Sequence, residues 1–213
     1  MTKAEIIGST TVLVNAGGEA TAACMGAAIY YMLKNPRVYT QAVEEVRRSY
    51  SSKEEILASS DASKLPYMGA VLNEVFRVYA PTPGNFARRT DEPTYIDGYI
   101  VPSDISVGVH QYAAGRSRDN FFEPDVFIPE RWLDNAPRAC AQDVKSAVQP
   151  WTLGPRACLG RNLAMLEIRT ALALVLWRFD LKLCVESEGW AERQTYNIVW
   201  NRGPLWVSLQ SRN

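Results

Sequence analysis

Histidine is almost absent from this chain: one residue, His110, in 213. A zinc site would need cysteines at ligand spacing, but Cys24, Cys140, Cys158 and Cys184 are scattered and include no CxxC pair, so zinc is not expected. That scatter, with no Asn-x-Ser/Thr acceptor, points to a reducing compartment rather than a secreted, disulfide-stapled domain. The sequence also lacks GxSxG, GxxxxGK[ST] and GxGxxG, so the common hydrolase, P-loop and dinucleotide folds have no warrant. Neither sign of charge dominates: Lys plus Arg is 23 and Asp plus Glu is 23. No net field draws the chain to nucleic acid or an anionic membrane, and no nucleic-acid partner is expected. Apolar runs stop at seven residues, as in Ala171–Trp177, where a spanning helix needs ~20. Glu5 falls where a signal peptide would turn apolar, and Val12–Val14 is too short for that region. Neither a membrane anchor nor a targeting segment is expected.

What is present is ordinary globular composition, with 47% apolar and 22% charged residues, enough for a proper core. Residues 4–33 contain no proline and are apolar nearly all round, which predicts one long, buried helix. Pro36 can serve as the first residue of a second helix to about Arg48. Ser52 with Glu55 resembles a capping box opening a short helix to about Ser60. Met68, Val71, Leu72, Val75, Phe76 and Tyr79 follow helical spacing, an amphipathic helix over 67–79. Asp97-Gly98 predicts a type I′ hairpin between Tyr95 and Ile100, and Ile105, Val107 and Val109 alternate as a third strand. The proline-rich stretch 116–150 reads as an ordered, mostly irregular meander. A helix over 160–178, a strand over 179–183 and a final hairpin over 195–209 complete an α+β chain that is mainly α.

The most informative stretch is Trp151 to Gly160, a loop that delivers Cys158 to a helix start. Gly154 and Gly160 let the backbone turn and approach a flat ligand, while the helix N-terminus and Arg156 favour a thiolate over a thiol. A thiolate held in this way is a metal ligand or a nucleophile. At average residue frequencies an aromatic residue, Gly, Arg, Cys and Gly at the spacing of Trp151, Gly154, Arg156, Cys158 and Gly160 arise by chance on the order of 10⁻⁴ per chain or less.

The pattern aromatic-x-x-Gly-x-Arg-x-Cys-x-Gly resembles the haem-binding loop of cytochrome P450. Glu74 and Arg77 resemble the family's Glu-x-x-Arg pair, and their spacing puts both on one helical face. Pro129-Glu130-Arg131-Trp132 resembles the element whose arginine, here Arg131, completes a buried structural cluster with Glu74 and Arg77. Arg88, with the neighbouring Arg89 as an alternative, and Arg156 match arginines that pair with haem propionates, a task suited to the guanidinium fork. Trp151 stands for the usual phenylalanine. Ala16-Gly17-Gly18-Glu19-Ala20-Thr21 resembles the oxygen-activation segment of a long oxygen-binding helix (1–34), with Glu19 the acid and Thr21 the second hydroxyl position. Ala20 replaces the principal threonine. His110 matches no motif and reads as a loop histidine.

The resemblance runs through the whole chain but covers less than half the family's length, so it implies the C-terminal part of the fold, a truncated member closest to fungal examples. It implies haem b, with Cys158 as the iron ligand, and electrons from NADPH through NADPH-cytochrome P450 reductase. It further implies a small apolar organic substrate, oxidised by insertion of one oxygen atom, and a secondary-metabolic role. Location follows as the cytoplasmic face of the endoplasmic reticulum, or the cytoplasm for a complete chain. Two alternatives stay open: a non-catalytic remnant or interaction module, with a second chain covering the apolar first helix, and a haem-dependent rearrangement or dehydration.

Overall fold

The computed structural model describes the backbone of residues 1–212 and their side chains except that of Ala62. Helix α1 spans Lys3–Lys34, opened by a capping box in which Thr2 and Glu5 satisfy each other's backbone amides. Asn35 ends it, and Pro36 begins α2 (Pro36–Ser49) at the position where its missing N–H costs nothing. Ser52 caps α3 (Lys53–Ala58) as the spacing predicts, but Glu55 returns its carboxylate to the amide of Ser51 rather than Ser52. Helix α4 (Pro66–Val78) follows.

The N-terminus of α4 shows an accounting that no local signal announces. Leu65 offers no side-chain cap and Pro66 has no N–H. The free amides of Tyr67 and Met68 donate instead to the buried carboxylate of Glu45 on α2, at 2.7 and 2.8 Å. Burial pushes the Glu45 carboxyl above its ordinary range, opposed by those two amides and by Arg48. The six apolar positions expected to face inward, Met68 to Tyr79, are all buried.

Strands are short and come in separate antiparallel pairs. β1 (Arg88–Arg89) pairs with β4 (Ser106–Val107), while β2 (Thr94–Ile96) and β3 (Tyr99–Val101) form the Asp97-Gly98 hairpin, with φ of 45° and 86° at the turn. The expected third strand over 105–109 is present as β4, limited to Ser106–Val107. It turns back to the chain leaving α4, and Ile105 and Val109 stay exposed. Helix α5 (Gln111–Gly115), which the sequence did not announce, is capped by His110. The 116–150 meander contains 3₁₀ turns at Pro129–Trp132, Arg138–Cys140 and Lys145–Ala147.

Helix α6 (Arg161–Arg178) runs into β5 (Phe179–Leu183). The expected hairpin over 195–209 divides. β6 (Thr195–Tyr196) pairs with β7 (Trp200–Asn201), and β8 (Val207–Ser211) crosses back to pair with β5, because Gly203-Pro204 redirects the chain. The core lies where α1, α2, α4 and α6 meet, with Ala27, Met32, Val46, Val71, Leu72, Val75, Leu172 and Leu176 fully buried.

Burial along α1 corrects one expectation. Only its C-terminal half is buried, including Ala23, Ala28 and Tyr30, whereas Ile6, Ile7, Val12, Leu13 and Val14 are exposed. The α1 helix is also long and apolar enough to cross a membrane by length and composition. Run length hid this, since Gly, Ser, Thr and Asn break the apolar runs without adding charge.

Candidate active site

The cysteine loop is built by its own backbone. Thr152 and Gly154 take positive φ values of 54° and 71°, turning the chain so that the Cys158 amide reaches back to the Trp151 carbonyl at 2.8 Å. Thr152 Oγ1 donates to the Arg156 carbonyl at 2.9 Å and closes the ring further. Cys158 is exposed, two residues before the Gly160 cap of α6. A Cβ at Gly160 would meet no protein atom within 4 Å, so packing within this chain does not demand the glycine.

Cys158 opens onto a cleft of about 350 Å³. Its walls bring together Glu19, Ala20 and Thr21 of α1, Phe76 of α4, Phe86, Trp151, Arg156, Ile168 of α6, and Ile198 and Val199 between β6 and β7. Trp151 is half-buried and edge-on to Phe76, with ring centroids 5.2 Å apart. Thr21 is buried. Glu19 does not stand free: its exposed carboxylate pairs with Arg202, in the segment after β7. Cys24 lines the same cleft, but burial pushes its thiol up to about 12.

Arg88 lies outside this lining; its guanidinium donates to the Leu153 carbonyl at 3.0 Å and braces the cysteine loop from the side. Arg89 is held by Asp104. Among the described residues, neither Arg88 nor Arg156 forms an ion pair. A thiol, two guanidiniums without carboxylates and apolar walls form a donor set that fits a flat apolar ring bearing carboxylates and a thiophilic metal.

Behind the cleft, one carboxylate organises the meander. Glu74 accepts both nitrogens of the Arg77 fork at 2.9 and 2.7 Å, the Ile128 amide at 2.8 Å and the Trp132 indole at 2.8 Å. Arg131 Nε lies 3.2 Å from it, and all three charged side chains are fully buried. Arg77 also donates to the carbonyls of Gly115, Pro124 and Val126, and Arg131 reaches Asp143 and Phe122. Asp143 is a member the sequence reading missed, since nothing local links it to Arg131.

A mainly helical chain that places a cysteine loop against a long helix across an apolar cleft defines the class, and comparison with known proteins agrees. The family model for cytochrome P450 matches residues 1–208. Cytochrome P450 monooxygenase astJ of Aspergillus oryzae is 41% identical over 215 residues, covering 100% of this chain and 43% of that protein. Trichothecene C-4 hydroxylase of Trichoderma arundinaceum is 41% identical, covering 98% and 43%, and averantin hydroxylase of Dothistroma septosporum is 40% identical, covering 100% and 41%. A cytochrome P450 crystal structure superposes with a TM-score of 0.79 at 25% identity, over 95% of this chain and 44% of that one. The chain belongs to the cytochrome P450 family, which implies a haem cofactor. It spans about 43% of the length of these curated relatives.

Proposed function

We propose that the chain forms the cysteine-bearing part of a haem-thiolate monooxygenase that inserts one oxygen atom into a small apolar organic substrate. The observation that carries this reading is Cys158, exposed on a closed backbone loop and facing an apolar cleft that also contains Thr21 and Arg156. Cys158 Sγ would hold the iron and Arg156 a propionate, with Arg88 at the loop's flank taking the second. Trp151 would cover one ring face. Haem, when bound, supplies one-electron and dioxygen chemistry at iron.

Thr21 contributes a hydroxyl that can hold and pass a proton at the cleft wall. Glu19 is held by Arg202 through one carboxylate oxygen, and Ala20, at the family's threonine position, contributes no hydroxyl. This incomplete relay favours a second reading, haem-dependent rearrangement or dehydration, which needs no oxygen activation. Relatives named as hydroxylases of trichothecenes and averantin support a substrate from secondary metabolism. Electrons would come from NADPH through NADPH-cytochrome P450 reductase at the endoplasmic reticulum.

The test is the carbon monoxide difference spectrum of the haem-supplied, dithionite-reduced chain beside Cys158→Ser. A Soret band at the thiolate-carbonyl position, lost in the variant, is expected. Absence of haem uptake would mean that binding requires more of the family's length than this chain spans, and the chain would then be tested as an interaction module presenting the exposed half of α1. Substrate-dependent NADPH consumption with reductase then separates oxygenation from rearrangement.

A further inference from the structure

The single histidine, without a motif role, sits where two walls of the cleft meet. Its backbone bridges Asn85, the neighbour of cleft-lining Phe86. The next two amides, Gln111 and Tyr112, donate to the carbonyls of Gly84 and Pro83 at 3.3 and 3.0 Å. The segment starting at His110 thus holds the 81–86 wall. Its side chain reaches the other wall: Nε2 lies 2.6 Å from Tyr196 Oη, with the rings edge to face at 5.9 Å. Tyr196 belongs to β6, and the turn that follows carries Ile198 and Val199 into the cleft lining.

The imidazole's hydrogen bonding is determined by its other nitrogen. Nδ1 accepts the Ala113 amide at 3.4 Å as the cap of α5. A neutral imidazole carries one N–H, so the proton sits on Nε2, which donates to Tyr196 Oη. On the other strand of the hairpin, the Trp200 indole donates to the Ala80 carbonyl at 2.8 Å. One strand is thus tied to the end of α4 and the other to the 81–86 wall.

We propose that His110 is a positioning residue: through Tyr196 it pins the 195–201 hairpin to the 81–86 segment and so sets which ligands the cleft admits. This rests on the reading of the cleft as the ligand site. His110→Asn separates the two roles, since asparagine still caps a helix but is too short to reach Tyr196. Tyr196→Phe keeps the ring and removes the hydroxyl.

Hydrogen–deuterium exchange on the full chain is the first readout. Loss of one hydrogen bond should speed exchange at Asn197, whose amide donates to the Val199 carbonyl at 3.3 Å, by about five- to tenfold in each variant. The Ala113 and Ala114 amides should stay protected in His110→Asn. The double variant should add less than about twofold, because both changes break one interaction. The second readout uses the haem-loaded chain, comparing affinities for imidazole and 4-phenylimidazole from the Soret shift. Each variant should change the ratio of the two by about threefold or more, a change that uniform destabilisation does not produce. Unchanged exchange at Asn197 in either single variant, or an unchanged ratio, overturns the proposal. If the chain takes up no haem by itself, the exchange result alone decides.

Discussion

Replacing Glu74 with glutamine keeps the side chain's shape and removes one charge from the centre of a fully buried cluster. An exposed pair at this spacing contributes only ~0.3–0.5 kcal/mol, whereas removing one partner of a buried pair costs ~3–5 kcal/mol because a charge is left uncompensated. The structure selects the second figure. Arg131 retains Asp143, but among the described residues Arg77 has no other carboxylate, and its remaining partners are carbonyls. We therefore expect a loss of about 4 kcal/mol, a quarter or more of a typical total of ~5–15. At ~2–4 °C per kcal/mol for a chain of this size, Tm falls by about 8–16 °C. The assay is urea unfolding followed by far-UV circular dichroism. Glu19→Gln, which breaks the exposed pair with Arg202, serves as the control, expected to cost less than ~1 kcal/mol. Equal midpoints for the two variants would refute the claim that burial makes Glu74 the organising charge.

Gly115→Ala should destabilise by at least ~1–3 kcal/mol, the usual range for overpacking, because its Cβ would lie 2.2 Å from the Arg77 backbone carbonyl oxygen; a wild-type urea midpoint would show that α5 can move aside. Burial pushes Glu130 up, but bonds from the Arg37 fork, its own amide and Tyr67 outweigh it and leave the carboxyl below its usual range. With the folded-state value depressed, this stabilisation is complete above the unfolded carboxylate range and is lost as pH falls through the folded value. Unfolding free energy should therefore drop from about pH 4.3 downward, with a shallower drop in Glu130→Gln; parallel curves would exclude this link. Iodoacetamide at neutral pH should label exposed Cys158 while sparing Cys24, whose thiol burial pushes up to about 12, and Cys140, raised chiefly by burial. Peptide mass spectrometry before and after denaturation reads the difference, and early labelling of Cys24 would mean that the cleft opens.

The features legible in the sequence were those whose causes lie within a few residues. Pro36 starts a helix because a proline at the first position sacrifices no hydrogen bond. Asp97-Gly98 makes a hairpin because that turn needs positive φ at both residues. The cysteine loop was equally plain, since its spacing is a local backbone requirement. The strand expected from the alternation at 105–109 forms at Ser106–Val107, but alternation does not name its partner, β1. The final hairpin failed for the same reason: β8 pairs with β5, formed well before it in the chain.

Family, element type and the cysteine loop followed from short-range periodicity, caps and motif spacing. Tertiary structure alone decided which half of α1 is covered, since the same apolar composition is buried at Ala23–Met32 and exposed at Ile6–Val14. It also decided that Glu45 caps a helix other than its own, that Asp143 joins the Glu74 cluster, that Glu19 is held by Arg202 and that His110 spans two walls of the cleft. Each of these depends on groups far apart in the chain whose pairing is a balance of burial and charge struck only when the elements pack.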